Sequence, residues 1–453
     1  MLFTEKWLSM FFKNNKIISS GRTIDKVFID SREKVSNGLF IPIVGERFDG
    51  HDFVLQAIKN GAVAVFWEQT KALPKDFPKD VTVFFVEDTT KALQYLSHEY
   101  KRDVNPRVIG ITGSNGKTTT KDLVAAVVSS SYKTHFTDGN FNNHIGLPLT
   151  ILSMAKETEV LVLEMGMNAF GEIDLLSKIA QPDISIITNI GESHIEFLGS
   201  RAGITKAKLE IRNGMPKEGI LIIDGDEEYL SRLSEEENVI TCGFNLTNDV
   251  KINNIENNLE MTRFTLDGNR KFEIPLIGDH HAKNASYAIT VGKLLNINDE
   301  EIKKSLQKLK LSGMRFEFLK GKNGVTIVND AYNASPTSMI GAINTIRSLA
   351  NFNNKILVLG DIFELGSYGV EFHKQIGKHV KEPITALFTY GDLAKEISSI
   401  AKKEEKIIVE HTETEEELLT KLKPYLNQES IILFKASRGM EFEQFITQLT
   451  DET

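Results

Sequence analysis

The chain has 453 residues, 53 Lys and Arg against 62 Asp and Glu for a formal net charge of −9, and 41% hydrophobic residues. With no Lys/Arg-rich run to offset that charge, this is the profile of a soluble globular protein and argues against a nucleic-acid scaffold. The lone cysteine, Cys242, excludes an internal disulfide and fits a reducing compartment; the absence of a membrane span or a signal-peptide pattern in "MLFTEKWLSMFFKNNK" makes a cytoplasmic enzyme the expectation.

At about 150 residues per domain the length predicts three domains. Strand-like and helix-like runs alternate throughout, so α/β layers with mostly parallel sheets are expected. The first block, 1–103, closes at the charged, Pro-containing "KRDVNPR". The middle block, 104–313, opens with "RVIGITGSNGKTTTKD". Its β-branched strand, glycine turn and following helical pattern form the arrangement in which backbone N–H groups and a helix N-terminus cradle phosphate. Gly113, Ser114, Asn115, Gly116, Lys117, Thr118 and Thr119 make up this loop. Lys117 is placed to reach the outer phosphates and the Thr118 hydroxyl to ligate Mg²⁺. The spelling departs from the general G-x-x-x-x-G-K-[ST] motif, because Ile111 stands where the first glycine belongs; an ordinary glycine turn is the bland alternative.

Two further apolar strands of the middle block end in polar groups. "EVLVLEMGM" brings Glu164 to a strand end, and "ISIITNIGESH" brings Asn189 and His194. The carboxyl ends of parallel strands line the ligand crevice, so Thr118, Glu164 and His194 are expected to converge, although His is an unusual partner for a cation as hard as Mg²⁺. Read alone, Lys208 is a helical surface lysine like Lys206. The last block, 314–453, follows a linker around Ser312 and Gly313 and carries the buried-strand runs "GVTIVNDAY", "KILVLGD", "ALFTYGD" and "SIILFKASRG". No nucleophile elbow, Cys/His pair or zinc spacing is present; phosphoryl transfer needs none, since positioning and charge neutralisation supply most of its rate.

The segments "GITGSNGKTTTKD", "LEMGM", "TNIGESHIEFLGS", "KAKLEI", "IGDHHAKN", "SGMRFE" and "NDAYNASPTSM" stand in the order found in the Mur ligases, and the resemblance covers almost the whole chain. That family spells its phosphate loop Gly-x-x-Gly-Lys, which removes the oddity at Ile111. The resemblance implies a smaller N-terminal α/β domain for the UDP-sugar, a central P-loop-type sheet with helices on both faces, and a C-terminal Rossmann-like α/β domain. It implies ATP and two Mg²⁺ ions, with Thr118 and Glu164 on one ion, His194 on the second, and Lys208 carried as a carbamate. It further implies Asn284 as an adenine contact, Arg315 at the ATP phosphates and Asp330 at the nucleotide. This chain has His280-His281 where the family usually shows His-Asn, and Ser335-Pro336 where it more often shows Asn-Pro; the second change is expected to be tolerated. On the substrate side, Ser31 and Arg32 in "DSRE" resemble the diphosphate end, Asn140, Asn142 and Asn143 the sugar–peptide contacts, and Arg438 a cleft residue. Turn-forming or structural roles remain open for each.

"GNFNNHIGLPLT", "LGDIFELG" and "NDAYNASPTSM" point within the family to the joining of D-Ala-D-Ala to UDP-N-acetylmuramoyl-tripeptide. The implied course is phosphorylation of the tripeptide's terminal carboxylate by ATP, then attack of the dipeptide amine on the acyl phosphate. A monomer is implied. Nucleotide contacts shared between the middle and last blocks predict a closing motion. The rival readings are a sister Mur-type or folylpolyglutamate-type ligase with another amine, and a regulatory module that hydrolyses ATP alone.

Overall fold

Strands Val160–Glu164, Ile184–Ile187 and Ser430–Lys435 are buried at every residue. Such strands point apolar side chains both ways and need cover on both faces, which parallel sheets obtain from their crossover helices. In the computed structural model, which describes residues 1–16, 21–309 and 313–450, they lie inside two of three main sheets. The expected linker residue Ser312 falls outside the described residues.

The first sheet orders Asn15–Lys16, Thr82–Val86, Ala62–Glu68, Gly38–Phe40 and Lys26–Phe28, parallel except at the Asn15–Lys16 edge. The middle sheet has nine strands: Thr134–Phe136, Val160–Glu164, Arg107–Thr112, Ile184–Ile187, Ile220–Asp224, Val239–Gly243 and Val250–Asn257 are parallel, and Thr262–Leu266 and Arg270–Ile274 continue antiparallel. The last sheet runs Glu317–Lys320, Thr326–Asn329, Ser430–Lys435, Asn354–Gly360, Ala386–Tyr390 and Ile408–Thr412, parallel after its antiparallel first edge.

One feature of the middle sheet positions the site. From Arg107–Thr112 the chain passes through helix Lys117–Val128 to the edge strand, returns beside its starting strand as Val160–Glu164, and then crosses to Ile184–Ile187 on the other side. Ligands of open α/β sheets bind at such a reversal of strand order. Pairing of Glu164 with Ile111 and of Ile187 with Thr112 brings all three strand ends to one level.

Helix Thr89–Val104 continues one residue past the expected boundary at 103 and ends where Asn105 turns left-handed at φ 54°. It ties the first two blocks together: the Thr89 hydroxyl donates to Pro42 O at 2.5 Å, and the buried Tyr100 hydroxyl donates to Met154 O at 2.9 Å. Each sheet has a core of its own on one face. Residues from the other faces, among them Phe66, Leu163 and Leu433, belong to one apolar cluster running through all three blocks.

Tyr100→Phe leaves the Met154 carbonyl buried without its donor, so a loss of about 1–3 kcal/mol in stability is expected, read as a lower denaturant midpoint.

Candidate active site

The loop between strand Arg107–Thr112 and helix Lys117–Val128 is held by the neighbouring strand end. Asn115 N donates to Asn189 Oδ1 at 2.9 Å and Ser114 N to Asn189 O at 3.1 Å, while Thr188 Oγ1 and Asn189 Nδ2 donate to Asn115 O at 2.6 and 3.0 Å. A Cβ on Gly113, at φ +148°, would lie 1.8 Å from Thr188 Oγ1, and one on Gly116, at φ +79°, 2.8 Å from Asn284 Oδ1. Only glycine fits at either position. Lys117 Nζ folds back on Gly113 O at 2.8 Å and Ser114 O at 3.4 Å. Burial lowers this ammonium from its ordinary range, the Glu164 charge opposes that shift, and Arg315 adds to it.

The cleft over this loop has a volume of about 570 Å³ and is lined by Ser114 to Thr119, Glu164, His194, Asn284, Arg315 and Asp330 among others. Glu164 is buried; its Oε1 accepts from Asn142 Nδ2 at 2.8 Å, whereas its Oε2 has no hydrogen-bond partner among the described residues. A buried carboxylate oxygen left without a donor suits a cation. Lys208 is fully buried on helix Arg201–Leu209, and its surroundings are unusual for a lysine. Burial, with Lys117 facing it, pushes its amine well below lysine's ordinary range. Among the described residues no group of three or more His, Cys, Asp or Glu side chains is arranged to hold a metal. A cation beside Glu164 would draw on that carboxylate, the Thr118 hydroxyl and substrate or water oxygens, the mixed set that Mg²⁺ favours.

The last block already touches the loop. Arg315 Nη2 donates to Thr118 Oγ1 at 3.0 Å with its guanidinium 4.2 Å from the Tyr332 ring centroid, and Ser335 Oγ donates to Asn115 Oδ1 at 2.8 Å. Asp330 accepts from Phe316 N at 3.2 Å and pairs with the buried Lys435 at 2.6 Å. Thr337 donates to Glu192 Oε2 at 2.6 Å from the start of helix Pro336–Ser348, and Glu364 Oε2 stands 2.6 Å from His194 Nδ1. Tyr332, Glu192, Glu364 and Lys435 escaped the sequence reading. Lys435 alone left a signal there, as a charge closing the apolar run "IILF".

The other expected residues divide between this cleft and other parts of the chain. Asn142 and Asn143 line it, Asn143 also accepting from Ile145 N and Gly146 N to start the next helix, but Asn140 is exposed and does not reach it. Ser31 and Arg32 lie in the first block, where Arg32 is 85% exposed and folded onto Asp30; Asp30 is held down to about 2 by that arginine. Ser31 offers its carbonyl to Asn60 Nδ2 at 2.7 Å, so both residues form a turn that faces solvent. Arg438 departs from the expected cleft position. It does not line the cleft, but pairs with Glu443 at 2.9 Å on helix Glu443–Leu449 and rests on Met314.

Comparison with known proteins bears on the family and the fold. Three family models match in succession: "Mur ligase family, catalytic domain" over 23–108, "Mur ligase middle domain" over 111–292, and "Mur ligase, glutamate ligase domain" over 314–438. The chain is 47% identical, over 94% of its length and 93% of the relative's, to the UDP-N-acetylmuramoyl-tripeptide–D-alanyl-D-alanine ligase of Bacillus subtilis. It superposes on a MurF crystal structure from Acinetobacter baumannii with a TM-score of 0.88 at 30% identity, covering 99% and 98% of the two chains. A MurF ligase from Thermotoga maritima in complex with ADP superposes with a TM-score of 0.82 at 29% identity, covering 93% and 96%. Across its three sheets and its phosphate-loop cleft, this chain belongs to the Mur ligase family.

Proposed function

We propose that the chain joins D-Ala-D-Ala to UDP-N-acetylmuramoyl-tripeptide, consuming ATP and giving the UDP-linked pentapeptide, ADP and phosphate. One observation carries the chemistry: the phosphate loop and a buried carboxylate oxygen, without a donor among the described residues, line one cleft, and the buried Lys208 amine lies close enough for the Lys117 charge to act on it. The choice of substrates is supported by relatives that carry this ligase name and match over nearly the whole chain, from 47% identity in Bacillus subtilis to 32% in Escherichia coli. They favour this reading over a sister ligase with another amine. Among the described residues no helix is long and apolar enough to cross a membrane. From the resemblance to the Mur ligases we expect a cytoplasmic monomer.

ATP is held by the backbone of Gly113 to Thr119 and by Lys117, with Asn284 beside the loop and Arg315 and Asp330 approaching from the last block. The tripeptide's terminal carboxylate oxygen attacks the γ-phosphorus, and the bond to the ADP oxygen breaks. The dipeptide's neutral amine then attacks the acyl carbon, its C–N bond forms, and the C–O bond breaks to release phosphate while the nitrogen sheds its proton. Lys117 and Arg315 offset the charge that accumulates on the transferring phosphoryl oxygens. Thr118 and Glu164 would hold one Mg²⁺, and His194 with a carbamylated Lys208 the second; bound there, the ions supply further charge neutralisation and orient the phosphates. Carbamylation suits Lys208 because burial and the Lys117 charge disfavour its ammonium form, and adding CO₂ to the amine turns a repelling cation into an anionic oxygen donor. The notional diphosphate contacts Ser31 and Arg32, and the sugar–peptide contacts Asn142 and Asn143, complete the proposal. Asn140 and Arg438 are left out of it.

Three outcomes are expected. Phosphate release from Mg-ATP requires both UDP-N-acetylmuramoyl-tripeptide and D-Ala-D-Ala, with a pentapeptide product by mass; release indifferent to the dipeptide would sink the assignment. Lys117→Ala lowers turnover by about 10²–10³-fold in a steady-state phosphate assay, the scale for removing one charge-stabilising donor. Protein equilibrated with ¹³C-bicarbonate shows a carbamate resonance in ¹³C NMR that Lys208→Ala removes; an unchanged spectrum would leave Lys208 a plain buried amine.

A further inference from the structure

We infer that Glu364 is a positioning residue for His194, fixing which ring nitrogen of that histidine stays free to face the cleft. This rests on the reading of His194 as a ligand of the second Mg²⁺. His194 lines the cleft, whereas Glu364 comes from the last block and stands behind it. Glu364 Oε2 lies 2.6 Å from His194 Nδ1, which is buried and has no other partner among the described residues. The separation is a hydrogen-bonding distance, although the line of approach departs from the ring N–H direction. A carboxylate at Nδ1 favours the tautomer with its proton there, leaving the Nε2 lone pair for a cation.

The backbone gives a second, independent argument. His194 and Glu364 both adopt left-handed φ, +64° and +62°. Glycine or asparagine settles there more readily, and other residues persist where the surroundings compensate. If only the turn mattered, a glycine would serve at 364; Glu364 is 43% exposed, so core packing does not call for its side chain either. The contact with His194 gives the carboxylate at this position a role.

The segment is held in place by its backbone and its neighbours. Glu364 O accepts from Glu196 N at 3.2 Å, and the Tyr368 hydroxyl donates to Gly199 O at 3.4 Å. A Cβ on Gly366 would stand 3.1 Å from Glu196 Cγ. These contacts survive replacement of the Glu364 carboxylate. The last block thereby reaches the cation end of the cleft through Glu364, and the phosphate end through Arg315 and Ser335.

The test uses the full chain with a non-hydrolysable ATP analogue and Mn²⁺ as a paramagnetic stand-in for Mg²⁺. Glu364→Gln keeps size and backbone but lets the ring take the other tautomer, as an amide replacing a catalytic carboxylate does elsewhere. The expected result is a Mn²⁺ affinity weaker by about 10–100-fold, with the His194 ring ¹⁵N pattern shifted from the Nδ1–H form and the melting temperature unchanged. Glu364→Asp, which keeps the charge, recovers part of the affinity. If His194→Ala weakens Mn²⁺ binding while Glu364→Gln leaves both affinity and ¹⁵N pattern alone, the positioning role is overturned and the ligand reading stands. If His194→Ala leaves Mn²⁺ binding unchanged, the ligand reading itself fails and takes this inference with it.

Discussion

The site depends on the 1.8 Å between an imagined Gly113 Cβ and the Thr188 hydroxyl. With no side chain at 113, the loop can lie directly on the next strand's end and take Asn189 as its frame. Thr188 is fixed in turn, because the buried Tyr287 hydroxyl donates to its carbonyl at 2.9 Å. Tyr287 belongs to helix Asp279–Leu294, one turn beyond Asn284, so the same anchor sets Asn284 against Gly116. Loop, strand end and helix are therefore one mechanical unit built around a missing methyl group.

The last block reaches this unit through side chains and not through sheet pairing. That explains why Ser335 can stand where the family more often has asparagine. The serine hydroxyl accepts from Ser338 N at 3.2 Å, capping its helix, and donates its proton to Asn115 at 2.8 Å. A hydroxyl offers both an acceptor and a donor, as an amide does, so both duties are met.

Much of this was legible beforehand for physical reasons. The β-branched strands, the glycine spacing and the polar strand ends at Glu164 and His194 are local patterns, and the sheet order turned them into neighbours. The buried position of Lys208 was not legible: its helix reads as amphipathic, and only the fold shows which face is covered. Arg438 illustrates the opposite failure, since nothing in "KASRGMEFE" announces that Glu443 will take its charge. The pairs Glu364 with His194 and Ser335 with Asn115 join residues more than a hundred positions apart, so no local spacing could have announced them.

The apolar cluster that runs through all three blocks carries a different consequence. Each block has its own sheet and matches its own family model, so in topology the chain is modular. In free energy it is not, because one face of each sheet finds part of its cover on the neighbouring blocks. A block cut free would expose an extended apolar face of the kind that drives association with other chains. Exchange of whole blocks between relatives is thus constrained by matched buried surfaces, and changes at those surfaces must arise in pairs on both sides of a junction.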